Sequence, residues 1–103
     1  MICRDCLFHL SYKDIESVLE NFIAAEIKYL LTTTFTHNRS NRDIITGDFR
    51  RLNLFKKPFS FDKKPLERID DYIHPFPKRE ICLWNRSQVI LALAKLKNLK
   101  DKK

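Results

Sequence analysis

The sequence predicts an α/β fold. Three features carry the prediction. A capped amphipathic helix follows a short strand-like start. An apolar run without polar alternation comes next, and two short strand-like runs and a second helix close the chain. A strand, a helix and a second strand buried on both faces form a β-α-β unit, which closes right-handed with its strands parallel.

The elements follow in order. Residues 1–5 read as the end of a strand and residues 6–10 as a turn or short helical piece. Ser11 and Asp14 form an S-x-x-D capping box, with the serine placed to accept a free N–H of the first turn. Ile15, Val18, Leu19, Phe22, Ile23 and Ile27 then recur at helical spacing, predicting a helix over about 12–26 with one buried stripe. "KYLLTTTF", residues 28–35, is rich in β-branched and aromatic residues and reads as a buried strand.

Residues 36–65 are polar, basic and rich in turn formers. A loop this long inside a domain is either functional or disordered. Phe49, Leu52, Leu54, Phe55, Phe59 and Phe61 argue for order, so an ordered lid or substrate loop is expected. Pro58 and Pro65 fix its path. Gly47, the only glycine, is expected to supply a positive-φ turn. "LERIDDYI", 66–73, alternates as an edge strand does, "HPFPKR" is a turn, and "EICLW", 80–84, is a short apolar strand. Together they predict an antiparallel hairpin, with Trp84 in the core. From Ser87 the chain is helical in propensity. Val89, Ile90, Leu93 and Leu96 or Ala94 line one side, and the lysine-rich end is expected to fray.

The chain has 103 residues, 44% of them hydrophobic and 32% charged, which are values for one globular domain. The net charge of +7 favours anionic partners without choosing among them. No apolar run approaches the ~20 residues that span a bilayer, and no secretory leader is read in the start, so a cytoplasmic protein is expected. Cys3, Cys6 and Cys82 are expected to be free thiols. The C-x-x-C of Cys3 and Cys6 has no second pair to complete a zinc site, and it reads as two buried thiols.

Taken in sequence, "RDCLFHLS" (4–11), "LLTTTF" (30–35), "NRDIITGDFRRLNL" (41–54), "KPFSF" (57–61) and "ICLW" (81–84) resemble the C-terminal half of a class I S-adenosylmethionine-dependent methyltransferase. The resemblance covers about residues 1–86, with 87–103 an appended helix and basic tail. It implies a partial Rossmann-like sheet: the end of the fourth strand at 1–5, the fifth at 28–35, and a closing hairpin whose last strand runs antiparallel beside the fifth. Ligands in such sheets lie beyond the carboxyl ends of the strands. The family's glycine-rich cofactor turn is absent. The resemblance therefore implies a methyltransferase fragment, inactive alone, that supplies the substrate side and one wall of the cofactor pocket. A truncation, a mis-started frame or one piece of a split enzyme would each give such a chain.

On this resemblance Asp5 and His9 are the candidate catalytic residues, as groups able to remove a proton from the methyl acceptor. Arg4 and Asp5 are candidates for contact with S-adenosylmethionine. Asn41, Arg50 and Asn53 are candidates for the acceptor, which the basic loop suggests is anionic. An exposed sheet edge at 1–5 implies self-association or a partner chain. Two other readings stand beside this one. Interleaved basic and aromatic residues in "RRLNLFKKPFSFDKK" suit a small nucleic-acid-binding module, and the chain also suits a non-catalytic subunit that completes another chain.

Overall fold

The computed structural model describes residues 1–72, 74, 75 and 77–101, without the side chains of 99–101. Strand β1 (Ile2–Cys3) leads into a 3₁₀ turn over Leu7–His9 and helix α1 (Tyr12–Ala24). Strand β2 (Tyr29–Phe35), the long loop, strands β3 (Glu67–Asp70) and β4 (Arg79–Asn85) and helix α2 (Arg86–Asp101) follow. The four strands form one mixed sheet in the order β1-β2-β4-β3. β1 runs parallel to β2, with Ile2 opposite Leu31. β4 lies between β2 and β3, antiparallel to both, with Trp84 opposite Leu30 and Ile69 opposite Ile81. The fold is thus a small α/β domain, with the parallel β-α-β unit and the antiparallel hairpin that the sequence predicts. The parts of those expectations at Ile73, at Phe76 and on the last two lysines lie outside the described residues.

Local chemistry explains the boundaries. The Ser11 side chain accepts the Asp14 N–H at 3.2 Å, which starts α1 as the capping box predicts. The helix stops at Ala24 through a Schellman pattern. Glu26 N–H bonds to Ile23 O, Ile27 N–H bonds to Phe22 O, and Glu26 takes a left-handed φ of 57°. A non-glycine residue in that conformation costs about 1 kcal/mol. α2 opens on a second, reciprocal box: Gln88 N–H donates to Asn85 Oδ1, and Asn85 N–H donates to Gln88 Oε1.

The core joins both helices, the sheet and the loop. Ile15, Leu19 and Phe22 of α1 are buried with Leu30 and Trp84 of the sheet and Val89, Ala92, Leu93 and Leu96 of α2. Leu52, Leu54, Phe59 and Phe61 of the loop are buried among them, so the loop is part of the core. Phe61 and Phe55 set their rings edge-on to Trp84 at 4.8 and 5.8 Å, and the Trp84 indole N–H donates to Asp62 O. Ile90 is exposed, contrary to expectation, and of the two alternatives at the next turn Leu96 is buried and Ala94 exposed. The buried stripe runs 89, 92, 93, 96, and a residue one place off that stripe is rotated by about 100° around the helix.

The expectation of free thiols at Cys3 and Cys6 is corrected: the two are joined in a disulfide. Residues three apart on an extended strand are ~10 Å apart. Here Asp5 bends the chain with φ 55°, and the two Cα atoms come to 5.7 Å, within disulfide range. Cys82 remains a free, fully buried thiol in the middle of β4.

Burial, with the Glu80 carboxylate beside it, pushes the Cys82 thiol from 9.0 up to about 12. The unfolded thiol ionises near 9.0, so the stabilisation from keeping it neutral is complete below that pH. It is lost as the pH climbs through about 12. Urea midpoints should fall steadily above pH 9.0 in the wild type and less steeply in Cys82→Ala; equal slopes would remove this thiol as the cause.

Candidate functional site

The carboxyl ends of β1 and β2 meet at one edge of the sheet, and the chain turns there twice. After Cys3, the Arg4–Asp5 turn is held from β2. The Thr32 hydroxyl donates to Cys3 O at 2.9 Å, and the Asp5 N–H donates to the Thr33 hydroxyl at 3.1 Å. The 3₁₀ turn then buries Leu7 and Phe8 and leaves His9 exposed. The long loop crosses over this turn, with Gly47 N–H bonded to His9 O at 2.9 Å and Arg50 N–H to Phe8 O at 3.4 Å. Gly47 sits at φ 106°, a conformation that disfavours a side chain, as the sequence predicts.

A cleft of about 360 Å³ opens at this edge, lined by Phe8, His9, Phe35, Phe49, Asp71, Pro77 and Arg79. The three phenyl rings meet edge-on, Phe8 to Phe35 at 5.2 Å, Phe8 to Phe49 at 5.5 Å and Phe35 to Phe49 at 6.0 Å. They give the cleft an apolar wall. Its rim is ionic. Arg4 Nη2 donates to Asp71 at 3.0 Å, Asp71 receives Arg79 Nε at 3.1 Å, and Arg79 Nη1 reaches Asp5 at 2.8 Å. The chain of charges therefore runs Arg4–Asp71–Arg79–Asp5, with the most buried member, Asp71, between two guanidinium groups.

His9 has a defined role for one of its nitrogens. Nδ1 lies 3.0 Å from Asp48 O. A carbonyl oxygen only accepts, so this bond puts the proton on Nδ1 and leaves Nε2 with the lone pair in the neutral ring. That is the arrangement a general base needs.

The loop candidates sit deeper. Asn41 Nδ2 donates to Asn53 O at 2.8 Å and to Lys57 O at 2.9 Å, and Asn41 Oδ1 accepts the Asn53 N–H at 2.8 Å. The Asn53 side chain donates to His37 O and accepts from Phe55 N–H. Two asparagines thus pin residues 37–57 to one another. Arg50 is only 3% exposed; its Nη1 donates to Leu10 O at 2.7 Å, and its guanidinium lies over the Tyr12 ring. The same loop caps α1: Thr46 Oγ1 accepts the Ser11 N–H, and Asp43 accepts the Tyr12 N–H.

Arg4, Asp5 and His9 are therefore at the cleft or its rim, whereas Asn41, Arg50 and Asn53 are built into the loop behind it. Sequence reasoning did not single out Asp71 or Arg79. Asp71 and Arg79 pair with each other across eight residues, but each lies more than sixty residues from its partner in the Arg4–Asp5 turn, and the only local sign was their place beside a proline turn. Phe49 was read as evidence of order rather than as part of a site.

Among the described residues no three His, Cys, Asp or Glu side chains are grouped to hold a metal ion. No described helix is long and apolar enough to cross a membrane. No family model matches the chain, and no curated protein or solved structure matches it significantly.

Asp71→Asn should lower stability by about 1–2 kcal/mol in urea titrations, because two partly exposed ion pairs lose their shared carboxylate. Asn41→Ala should cost more, about 2–3 kcal/mol, since Asn53 N–H and two carbonyls lose their partners inside the loop. A smaller loss for Asn41→Ala than for Asp71→Asn would mean that the loop is held by its phenyl and leucine side chains rather than by this amide.

Proposed function

We propose that this chain forms the acceptor side of an S-adenosylmethionine-dependent methyl-transfer site. The observation that carries the reading is the sheet order, with β4 antiparallel between β2 and β3. This is the strand arrangement that the resemblance in "RDCLFHLS", "LLTTTF" and "ICLW" implies. It brings the Arg4–His9 turn and the end of β2 to the same edge, where ligands of open α/β sheets bind.

The residues present do not fit a complete S-adenosylmethionine site. Gly47 is the only glycine, and its N–H is spent on His9 O. Arg4 and Asp5 are engaged with Asp71 and Arg79. The chain's own chemistry lies on the acceptor side. The phenyl wall takes the apolar or planar body of an acceptor and excludes water, and the rim charges orient its polar groups. His9 Nε2 accepts the proton that the acceptor's N–H or O–H must lose. The half-buried Leu31, Ile81 and Leu83 and the exposed Ile69 share one face of the sheet. Ile2 on the outer strand is 77% exposed. Both features suit a further stretch of polypeptide that covers that face and pairs with β1.

The test is a proton–nitrogen correlation titration of the 103-residue chain with S-adenosylhomocysteine. Weak binding is expected, with shifts confined to residues 4–9 and 35. Shifts centred elsewhere, or none at millimolar ligand, would sink the reading.

A further inference from the structure

The loop also lines a second pocket, of about 580 Å³, which shares Phe49 with the cleft. Its lining includes Arg39, Arg42, Arg50, Arg51 and His37 and, among the described residues, no carboxylate. Four guanidinium groups around one hollow repel one another, and such an arrangement is stabilised by an anion that neutralises them. The nearest carboxylate acting on Arg50 is Asp43, whose Oδ1 already accepts the Tyr12 and Ile44 N–H groups.

Three buried atoms give the pocket more than surface charge. Arg50 spends Nη1 on the carbonyls of Leu7 and Leu10, while its Nε and Nη2 are buried with no partner. Nε and Nη2 together form the edge of a guanidinium that grips an oxyanion with two parallel hydrogen bonds. Leaving that edge empty costs free energy on the scale of a lost charged hydrogen bond. His37, which lines the same pocket, adds Nδ1 as a third buried atom without a partner. Burial, together with Arg51, Lys56 and Arg39, holds His37 below the ordinary histidine value, as a local excess of positive charge requires.

We propose that this pocket binds a phosphate group, held by the free edge of Arg50 and closed by Arg39, Arg42 and Arg51. Phosphate suits it better than a single carboxylate because it brings more charge and more acceptor oxygens to four cations. The phosphate has two possible sources, a phosphorylated small molecule or a nucleic-acid backbone, and the recognition chemistry is the same for both. Phe49 lines both this pocket and the cleft, so a small ligand with its phosphate here would lay its body against the phenyl wall. That extension alone rests on the methyl-transfer reading.

Calorimetric titration of the full chain with inorganic phosphate, phenyl phosphate and a short single-stranded oligonucleotide tests the proposal. Saturable phosphate binding is expected. It should weaken by about tenfold or more in Arg39→Ala with Arg51→Ala, both exposed at the rim. Lys57→Ala with Lys63→Ala removes the same charge from the neighbouring basic groove and should leave phosphate binding unchanged. Arg50→Lys keeps the charge and loses the two-point edge, and it should weaken binding while the melting temperature reports whether the fold survives. Phenyl phosphate binding more tightly than phosphate puts the source on a small molecule. An oligonucleotide binding more tightly than both, and weakened by the lysine pair as well, puts it on a nucleic acid. Phosphate binding with no gain from the phenyl ring keeps the pocket and ends its link to the cleft. No saturable binding by any of the three, or equal weakening of inorganic phosphate binding by the arginine and lysine pairs, overturns the proposal.

Discussion

Three threonine hydroxyls in the middle of β2 hold this structure together at the edge of the sheet where the cleft opens. Thr32, Thr33 and Thr34 are all buried, and a buried hydroxyl without a partner is costly. Each is satisfied by a different piece of chain. Thr32 donates to Cys3 O of β1, Thr33 accepts from the Asp5 turn, and Thr34 accepts the Leu54 N–H of the loop at 2.8 Å. The edge strand, the turn bearing Arg4 and Asp5, and the loop that walls the cleft are thereby tied to one inner strand.

The loop shows why a segment without regular structure can still be rigid. Its backbone polar groups cannot pair in a ladder, so side chains take that part. Asn41 and Asn53 satisfy its interior, and Arg50 anchors it to the 3₁₀ turn. In return Thr46 and Asp43 satisfy the first N–H groups of α1. Arg50 and His37 are the exceptions to full satisfaction in the loop. One side of the Arg50 guanidinium is spent on structure and the other is left unpaired, at the wall of a strongly basic hollow. Buried polar groups are nearly always paired, and the phosphate proposed for this hollow would give that edge its partner.

Local signals made most of the elements legible. The S-x-x-D box and helical spacing gave α1, the β-branched run gave β2, and the alternating and apolar runs gave the β3–β4 hairpin. Where the reading failed, the cause was tertiary. Cys3 and Cys6 were taken as free thiols, but the left-handed Asp5 draws them together. Ile90 was placed on the buried side of α2 and the choice between Leu96 and Ala94 was left open, because the stripe depended on how the helix docks on β4 and α1, which its own spacing does not contain. The charge chain was invisible because Arg4, Asp5, Asp71 and Arg79 become neighbours only when β1 and the hairpin join the same sheet.

The amino-acid sequence by itself determined the order and kind of the elements and the positive charge. Helix caps, period-3.6 spacing and β-branched runs act over a few residues, and their physics is written in neighbouring letters. Only the tertiary structure decided which polar side chains are available. Asn41, Asn53 and part of Arg50 are drawn into holding the loop, His9 has one nitrogen committed to Asp48 O, and four arginines of the loop, between residues 39 and 51, line one hollow. Partnership of that kind depends on distances between residues far apart in the chain, and those exist only once the core has closed around Trp84.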